Sequence, residues 1–273
     1  MSDQSRSQRP DVTSELEREL GGPGWMYPWR LTDEVSVPIA HPELPGIHAT
    51  RERLVASVAQ PELRNGGAVL DLGAHEGWFA QRALAWGADR VLAVDVRDIN
   101  VRRASLLRDH LQIGPERMSV LNASVYDVDP DDVGRFDVVL ILGLIYHLED
   151  PIGALRVAAA LTAPGGLVVV EAQLHQGGPV RAGRGVTGEH TGEPAFTTEP
   201  AVWAAKYESP EEQENTPLAA YGGVISLIPN EPAVRQALNV IGLLDARRVE
   251  ADAADNVQYR AVDRAVFTAR APG

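Results

Sequence analysis

The chain has 273 residues, 44% apolar and 23% charged, which suits one large or two small globular domains and excludes bulk disorder. Its formal net charge is -13, so a nucleic-acid backbone would repel it unless a strong local basic patch intervened. It has no cysteine, which excludes disulfide scaffolds, thiolate catalysis and Cys-ligated metals.

The N-terminal Met-Ser-Asp-Gln-Ser-Arg lacks the apolar core of a signal peptide. Residues 1–20 read as a flexible tail with one short helix at Ser14 to Leu20. Residues 21–65 read as a cap segment. It opens on the breaker Gly21-Gly22-Pro23-Gly24, continues through Trp25, Tyr27 and Trp29, and runs as extended loop from Leu31 to Ile47. Thr50 to Ala59 has helical spacing. From residue 66 short apolar runs alternate with helical spacing. Strands are expected at Ala68 to Leu72, Arg90 to Val94, Met118 to Leu121, Phe136 to Leu142 and Leu167 to Ala172. Helices are expected at Trp78 to Trp86, Ile99 to Leu111 and Pro151 to Leu161. Such alternation builds βαβ units and a parallel sheet covered on both faces. Gln173 to Ile228 breaks the rhythm with Gly, Pro, Thr and Glu. A loop of that length inside a compact domain reads as a lid insertion. A helix at Ala233 to Ile241 and strands at Asp245 to Glu250 and Ala261 to Ala269 follow. The longest apolar run, near Val138 to Tyr146, is about half the roughly 20 residues of a membrane span, so a cytoplasmic protein without membrane attachment is expected. Lys206 is the only lysine among 25 basic residues, a skew that reads as the codon bias of a high-GC bacterium.

The chemistry concentrates in Val69-Leu70-Asp71-Leu72-Gly73-Ala74-His75-Glu76-Gly77-Trp78. A strand ends in an acid, a glycine turn follows, and a helix begins. The next strand ends in Asp95. This pattern makes a nucleoside pocket at the carboxyl edge of a parallel sheet. Gly73 and Gly77 let a ligand approach the backbone, the helix start offers free N–H groups, and Asp95 is placed to accept both ribose hydroxyls. A dinucleotide would want a three-glycine fingerprint, but His75 stands at the middle position.

Together these segments resemble class I S-adenosylmethionine-dependent methyltransferases. Asp71 to Gly77 match the first motif of that family and Asp95 the acid of the second. Phe136 to Gly143 match its strand-four motif, and Pro164-Gly165-Gly166-Leu167 the turn before strand five. Gly143-Leu144-Ile145-Tyr146-His147-Leu148-Glu149-Asp150-Pro151 is similar to a narrower branch, which includes tRNA wobble-uridine carboxymethyl transferases and many small-molecule methyltransferases. The resemblance implies a Rossmann-like, doubly wound, seven-stranded α/β sheet over residues 66–273, with the lid insertion 173–228 after strand five. It implies methyl transfer from S-adenosylmethionine, leaving S-adenosylhomocysteine. The tRNA enzymes of that branch carry extra basic residues and a lysine for a carboxylated cofactor. The lone Lys206 lies far along the chain from the corresponding N-terminal region. A small acceptor, such as an aromatic or indolic specialised metabolite, is therefore expected rather than a nucleic acid. A tRNA-modifying enzyme and a cofactor-scaffolded non-methylating enzyme are the alternatives.

The resemblance also assigns candidates. Asp71 either caps its strand or holds the methionine ammonium. Ala123 and Ser124 stand where the adenine edge is met, and Gly143 where backbone passes the methionine. His75 is positioned to face the ligand. His147 is the first candidate base, with Tyr146 and His175 beside it, and each has an ordinary structural role as alternative. Trp25, Tyr27 and Trp29 either plug the cap or wall the acceptor site. Trp203 and Tyr221 in the insertion either line the site or meet the sheet or the partner of a homodimer. No histidine pair has metal-ligand spacing, so no metal is expected.

Overall fold

The computed structural model describes residues 25–31, 36, 37, 39, 41–176, 200–211 and 225–273. The expected tail, its helix at Ser14 to Leu20, and Tyr221 lie outside the described residues. Helix α1 (Leu44–Glu62) leads into β1 (Ala68–Leu72), α2 (Trp78–Trp86), β2 (Arg90–Asp95), α3 (Asp98–His110) and β3 (Met118–Asn122). The short α4 (Pro130–Val133), β4 (Phe136–Leu142), α5 (Pro151–Leu161) and β5 (Thr162–Gln173) follow. Strands β6 (Trp203–Tyr207) and β7 (Ile225–Pro229) come next, then α6 (Glu231–Val240), β8 (Leu244–Val249), α7 (Val257–Arg260) and β9 (Arg264–Arg270).

Seven strands form one sheet in the order β3-β2-β1-β4-β5-β9-β8. The first five run parallel, while β9 enters antiparallel between β5 and β8. Side-chain alternation divides the core in two. Val69, Val138, Leu140 and Val169 face the layer of the N-terminal segment, α1, α2 and α3. Leu70, Leu72, Val139, Ile141, Val168 and Val170 face α5 and α6. Both faces are covered, which is why β1, β4 and β5 are nearly all apolar. Among the described residues no helix is long and apolar enough to cross a membrane.

Two expectations change. The loop expected up to Ile47 ends earlier, because α1 starts at Leu44 with Pro45 in its first turn, where a missing N–H costs nothing. The insertion also contains structure: β6 and β7 pair antiparallel as a separate two-stranded sheet, and the Leu227 N–H donates to the Leu148 carbonyl at 3.0 Å. That sheet therefore lies against the turn that follows β4.

Candidate active site at the carboxyl edge of the sheet

The turn after β1 is built for close approach. Gly73 and Gly77 have φ of +74° and +79°, and both their N–H groups are used within the turn, on Val94 and Ala74 carbonyls. A Cβ on Gly77 would come within 2.7 Å of Met118 Cε, so glycine is required there by space as well as by φ. His75 takes the left-handed conformation without being glycine, at φ +50°. Its N–H donates to Asp95 Oδ2 at 2.8 Å. Arg97 N–H and Asn100 Nδ2 donate to Oδ1 at 2.9 and 3.0 Å. Three donors thus fix the Asp95 carboxylate at the end of β2.

Asp71 is buried at 2% exposure at the end of β1, and its Oδ2 has no hydrogen-bond partner. Burial, helped by the charge of Asp95, pushes its carboxyl up to about 7, against a bond from the Ala80 backbone. Neither ring nitrogen of His75 makes a hydrogen bond. Past β3, the Ala123 N–H donates to the Asp95 carbonyl at 3.1 Å, and Ser124 Oγ accepts from Tyr126 N at 3.3 Å to cap a single helical turn. Gly143, at φ +72°, closes β4. The strand order therefore brings Asp95, Asp71 and Gly143 along one edge.

Tyr146 and His147 lie on the short helical turn after β4, with ring centroids 4.3 Å apart. Burial lowers His147 to about 4, opposed by Glu208 and reinforced by Lys206. Those two residues come from the insertion, where Lys206 Nζ pairs with Glu208 Oε1 at 2.5 Å. The single lysine is thus remote from the N-terminal segment in sequence yet electrically close to the candidate base. His175 follows β5, its N–H donating to the Pro229 carbonyl at 2.7 Å. Trp203 starts β6 and packs, half-buried, on the core layer of α5 and α6.

Trp25, Tyr27 and Trp29 are 1%, 5% and 4% exposed and belong to the core. Tyr27 stacks on Trp78 at 5.4 Å and Trp29 meets the same ring edge-on at 4.9 Å. Sequence reasoning missed the residue that holds them. Glu76, fully buried in the turn, accepts from Met26 N at 2.8 Å, Tyr27 N at 3.3 Å and Trp29 Nε1 at 3.1 Å. Arg103 lies 4.0 Å from Glu76 and over the Trp25 ring at 4.4 Å. Of the three rings, Tyr27 reaches toward the site: its hydroxyl accepts from Arg51 Nη1 at 3.4 Å.

A buried ionic cluster was also missed. Arg51 of α1 lies 3.2 Å from Glu171 of β5, and Arg264 at the start of β9 lies 3.2 Å from the same carboxylate. The Tyr259 hydroxyl donates to Glu171 Oε1 at 2.8 Å, and Arg264 Nη1 donates to the Tyr146 hydroxyl at 3.1 Å. Arg51 and Arg264, the nearest cations, hold the Glu171 carboxyl below its ordinary range despite its burial. A Cβ on Gly143 would sit 3.5 Å from Arg51 Nη1 and 3.6 Å from the Tyr146 hydroxyl, so the cluster adjoins the end of β4. Arg51 and Tyr259 are 208 positions apart, beyond any local sequence signal.

The donor set fits S-adenosylmethionine. An orphaned carboxylate oxygen on Asp71 suits an ammonium, a fixed carboxylate on Asp95 suits a diol, and the glycine turn leaves backbone open. Among the described residues no three His, Asp or Glu side chains gather as a metal site.

Comparison with known proteins agrees with this geometry. A family model described as "Methyltransferase domain" matches residues 47–228. The tRNA U34 carboxymethyltransferase of Geobacter sp. (strain M21) is 29% identical over 112 residues, 41% of this chain and 34% of that protein. The ubiquinone biosynthesis O-methyltransferase of Xanthomonas campestris pv. campestris (strain B100) is 30% identical over 115 residues, 41% of this chain and 44% of that protein. The matched region thus spans less than half of each of these curated relatives. Among solved structures, the N-terminal domain of EvdMO1 with SAH bound superposes with a TM-score of 0.66 at 21% identity, covering 96% of this chain and 100% of that one. With the family model matched across most of the chain and the strand order of the fold in place, the protein belongs to the methyltransferase domain family and has the Rossmann-like fold of S-adenosylmethionine-dependent methyltransferases.

Proposed function

We propose that the protein transfers a methyl group from S-adenosylmethionine to a small acceptor at the carboxyl edge of the sheet. The observation that carries this reading is the buried, half-satisfied Asp71 beside the Gly73–Gly77 turn and the fixed Asp95. When bound, the cofactor supplies an electrophilic methyl on a sulfonium. Asp71 receives the ammonium of the methionine part, and Asp95 accepts from the ribose hydroxyls. Ala123 and Ser124 meet the adenine edge, while Gly143 leaves room for the methionine chain. The Trp25–Trp29 segment, α1 and the β6–β7 sheet keep water from the edge, which favours alignment of acceptor and methyl.

His147 is neutral at pH 7, so it can accept a proton. Its low proton affinity makes it a weak base at that pH. It serves an acceptor that ionises readily, such as an acidic phenol or enol, or one that needs no deprotonation. Tyr146 and Trp203 offer ring faces to an aromatic or indolic acceptor, as a specialised metabolite would present. The net charge of -13 and the lone lysine favour a small acceptor over tRNA, although one relative is named a tRNA U34 carboxymethyltransferase.

The test has two readouts. Calorimetry should show S-adenosylhomocysteine binding near micromolar, about -8 kcal/mol. Asp95→Ala should weaken it by about 1–3 kcal/mol through lost ribose hydrogen bonds. A screen of aromatic and indolic acceptors should then give one S-adenosylhomocysteine per methylated product. Binding unchanged in Asp95→Ala overturns the site, and product formed without S-adenosylhomocysteine overturns the reaction.

A further inference from the structure

The ionic cluster beside Gly143 has more donors than acceptors. Two guanidinium groups, Arg51 and Arg264, share one carboxylate, Glu171, leaving one positive charge out of contact with water. The tyrosine hydroxyls sharpen the imbalance. Tyr259 gives its proton to Glu171. Tyr27 and Tyr146 each accept from a guanidinium, so each keeps its own O–H to donate. Among the described residues neither of these two buried O–H groups has an acceptor within hydrogen-bond reach. Burial raises the Tyr27 hydroxyl well above its ordinary value, so it stays a donor. An unbalanced buried charge ringed by idle donors is costly unless something negative completes it.

We propose that Arg51, Arg264, Tyr27 and Tyr146 form an anion subsite that takes a carboxylate of the methyl acceptor. This rests on the methyl-transfer reading above. One spare positive charge matches a monoanion better than a phosphate dianion, and a guanidinium fork matches the carboxylate plane. Strand order favours the acceptor over the cofactor as the source. Asp95 ends β2, Asp71 ends β1, and Gly143 ends β4; Glu171 and Arg264 lie beyond, on β5 and β9. Arg264 begins a strand three positions from β1, roughly 14 Å away at the usual strand spacing. The methionine carboxylate is bonded to the carbon that bears the ammonium, so it stays near Asp71. The cluster continues the edge in the direction away from the ribose, where an acceptor enters.

The experiment uses the full chain saturated with S-adenosylhomocysteine and titrated with benzoate, with methyl benzoate as the uncharged control. Benzoate should bind at least about tenfold more tightly than its ester. Arg264→Gln should abolish that preference, and Tyr146→Phe, which keeps the ring and the packing, should reduce it severalfold. Both variants should keep wild-type affinity for S-adenosylhomocysteine within about twofold, which also reports that they are folded. Equal binding of acid and ester, no binding of benzoate, or a preference that survives both substitutions overturns the proposal. So does a loss of S-adenosylhomocysteine affinity that disappears with the decarboxylated analogue, since the carboxylate is then the cofactor's own. A wild type that binds no S-adenosylhomocysteine strikes the methyl-transfer reading instead, and benzoate titration of the free protein still reads the anion subsite.

Discussion

Asp71 couples stability to ligand binding through one proton. Its folded-state carboxyl titrates near 7, against an ordinary value of 3.8. The unfolded chain ionises first as pH rises. The contribution of this group is therefore fully present below about pH 4 and is lost as pH rises through 7. A shift of that size corresponds to about 4 kcal/mol at most. Replacing it by Asn removes the charge while keeping the shape. Urea unfolding of wild type and Asp71→Asn should show the variant gaining up to a few kcal/mol on wild type between pH 4 and 8. Affinity for S-adenosylhomocysteine should rise through pH 7 in wild type and stay flat and weaker in the variant. A constant stability difference across that range would remove Asp71 from this role. His147 gives a second test at this scale. Its neutral form exists above about pH 4, so kcat should show no His147 base limb between pH 5.5 and 8. A limb near 6.5 that vanishes in His147→Ala would show an ordinary, solvated imidazole. Asp71, Asp95 and the glycines were legible because a strand, a turn and an acid fall within one short segment. Arg51, Glu171, Tyr259 and Arg264 were not, because their partners meet only when α1, β5, α7 and β9 have folded together.

The elements whose ends were read correctly are those punctuated by glycine or proline. Helix α2 runs from Gly77 to Gly87, β4 stops at Gly143, and α5 begins at Pro151 after Asp150, whose side chain accepts from the Gly153 N–H. Strand β5 starts earlier than its apolar run, at Thr162, because its register with β4 shifts between Phe136 and Val138. Strands β6 and β7 were hidden, since Gly, Pro and Glu dominate the surrounding composition. The Trp25–Trp29 segment behaves as part of the α2 layer rather than as a separate flap, and Glu76 is the reason. Glu76→Ala would leave three donors and the Arg103 guanidinium without their carboxylate. It should cost about 3–5 kcal/mol of unfolding free energy. Amide exchange at residues 25–31 should accelerate with it, and should be slow in wild type with or without S-adenosylhomocysteine. A loss below about 1 kcal/mol with unchanged exchange would mean that the aromatic stack alone holds the segment.

Across the whole molecule, charge and topology separate two jobs. The sheet edge runs from an acid for the ribose through an acid for the ammonium to a cluster with spare positive charge. The positive charge in that cluster is internal, and Arg51 is nearly all buried. It does not offset the outward field of a chain carrying -13. A tRNA ligand needs the opposite arrangement: exposed cations spread along a surface, each releasing counterions from a phosphate. The one lysine is engaged with Glu208 beside the turn after β4. Long-range repulsion should therefore dominate any encounter with a polyanion at low ionic strength, where screening is weakest. Filter binding with bulk tRNA should show no retention at roughly 0.15 M salt, and none gained when salt is lowered to about 0.05 M. The low-salt arm is the decisive one. A protein with a hidden basic groove binds more tightly there, with a steep slope of affinity against salt, whereas this charge distribution predicts continued exclusion. Retention that rises as salt falls and is competed by polyphosphate would overturn the small-acceptor reading and reopen the tRNA alternative.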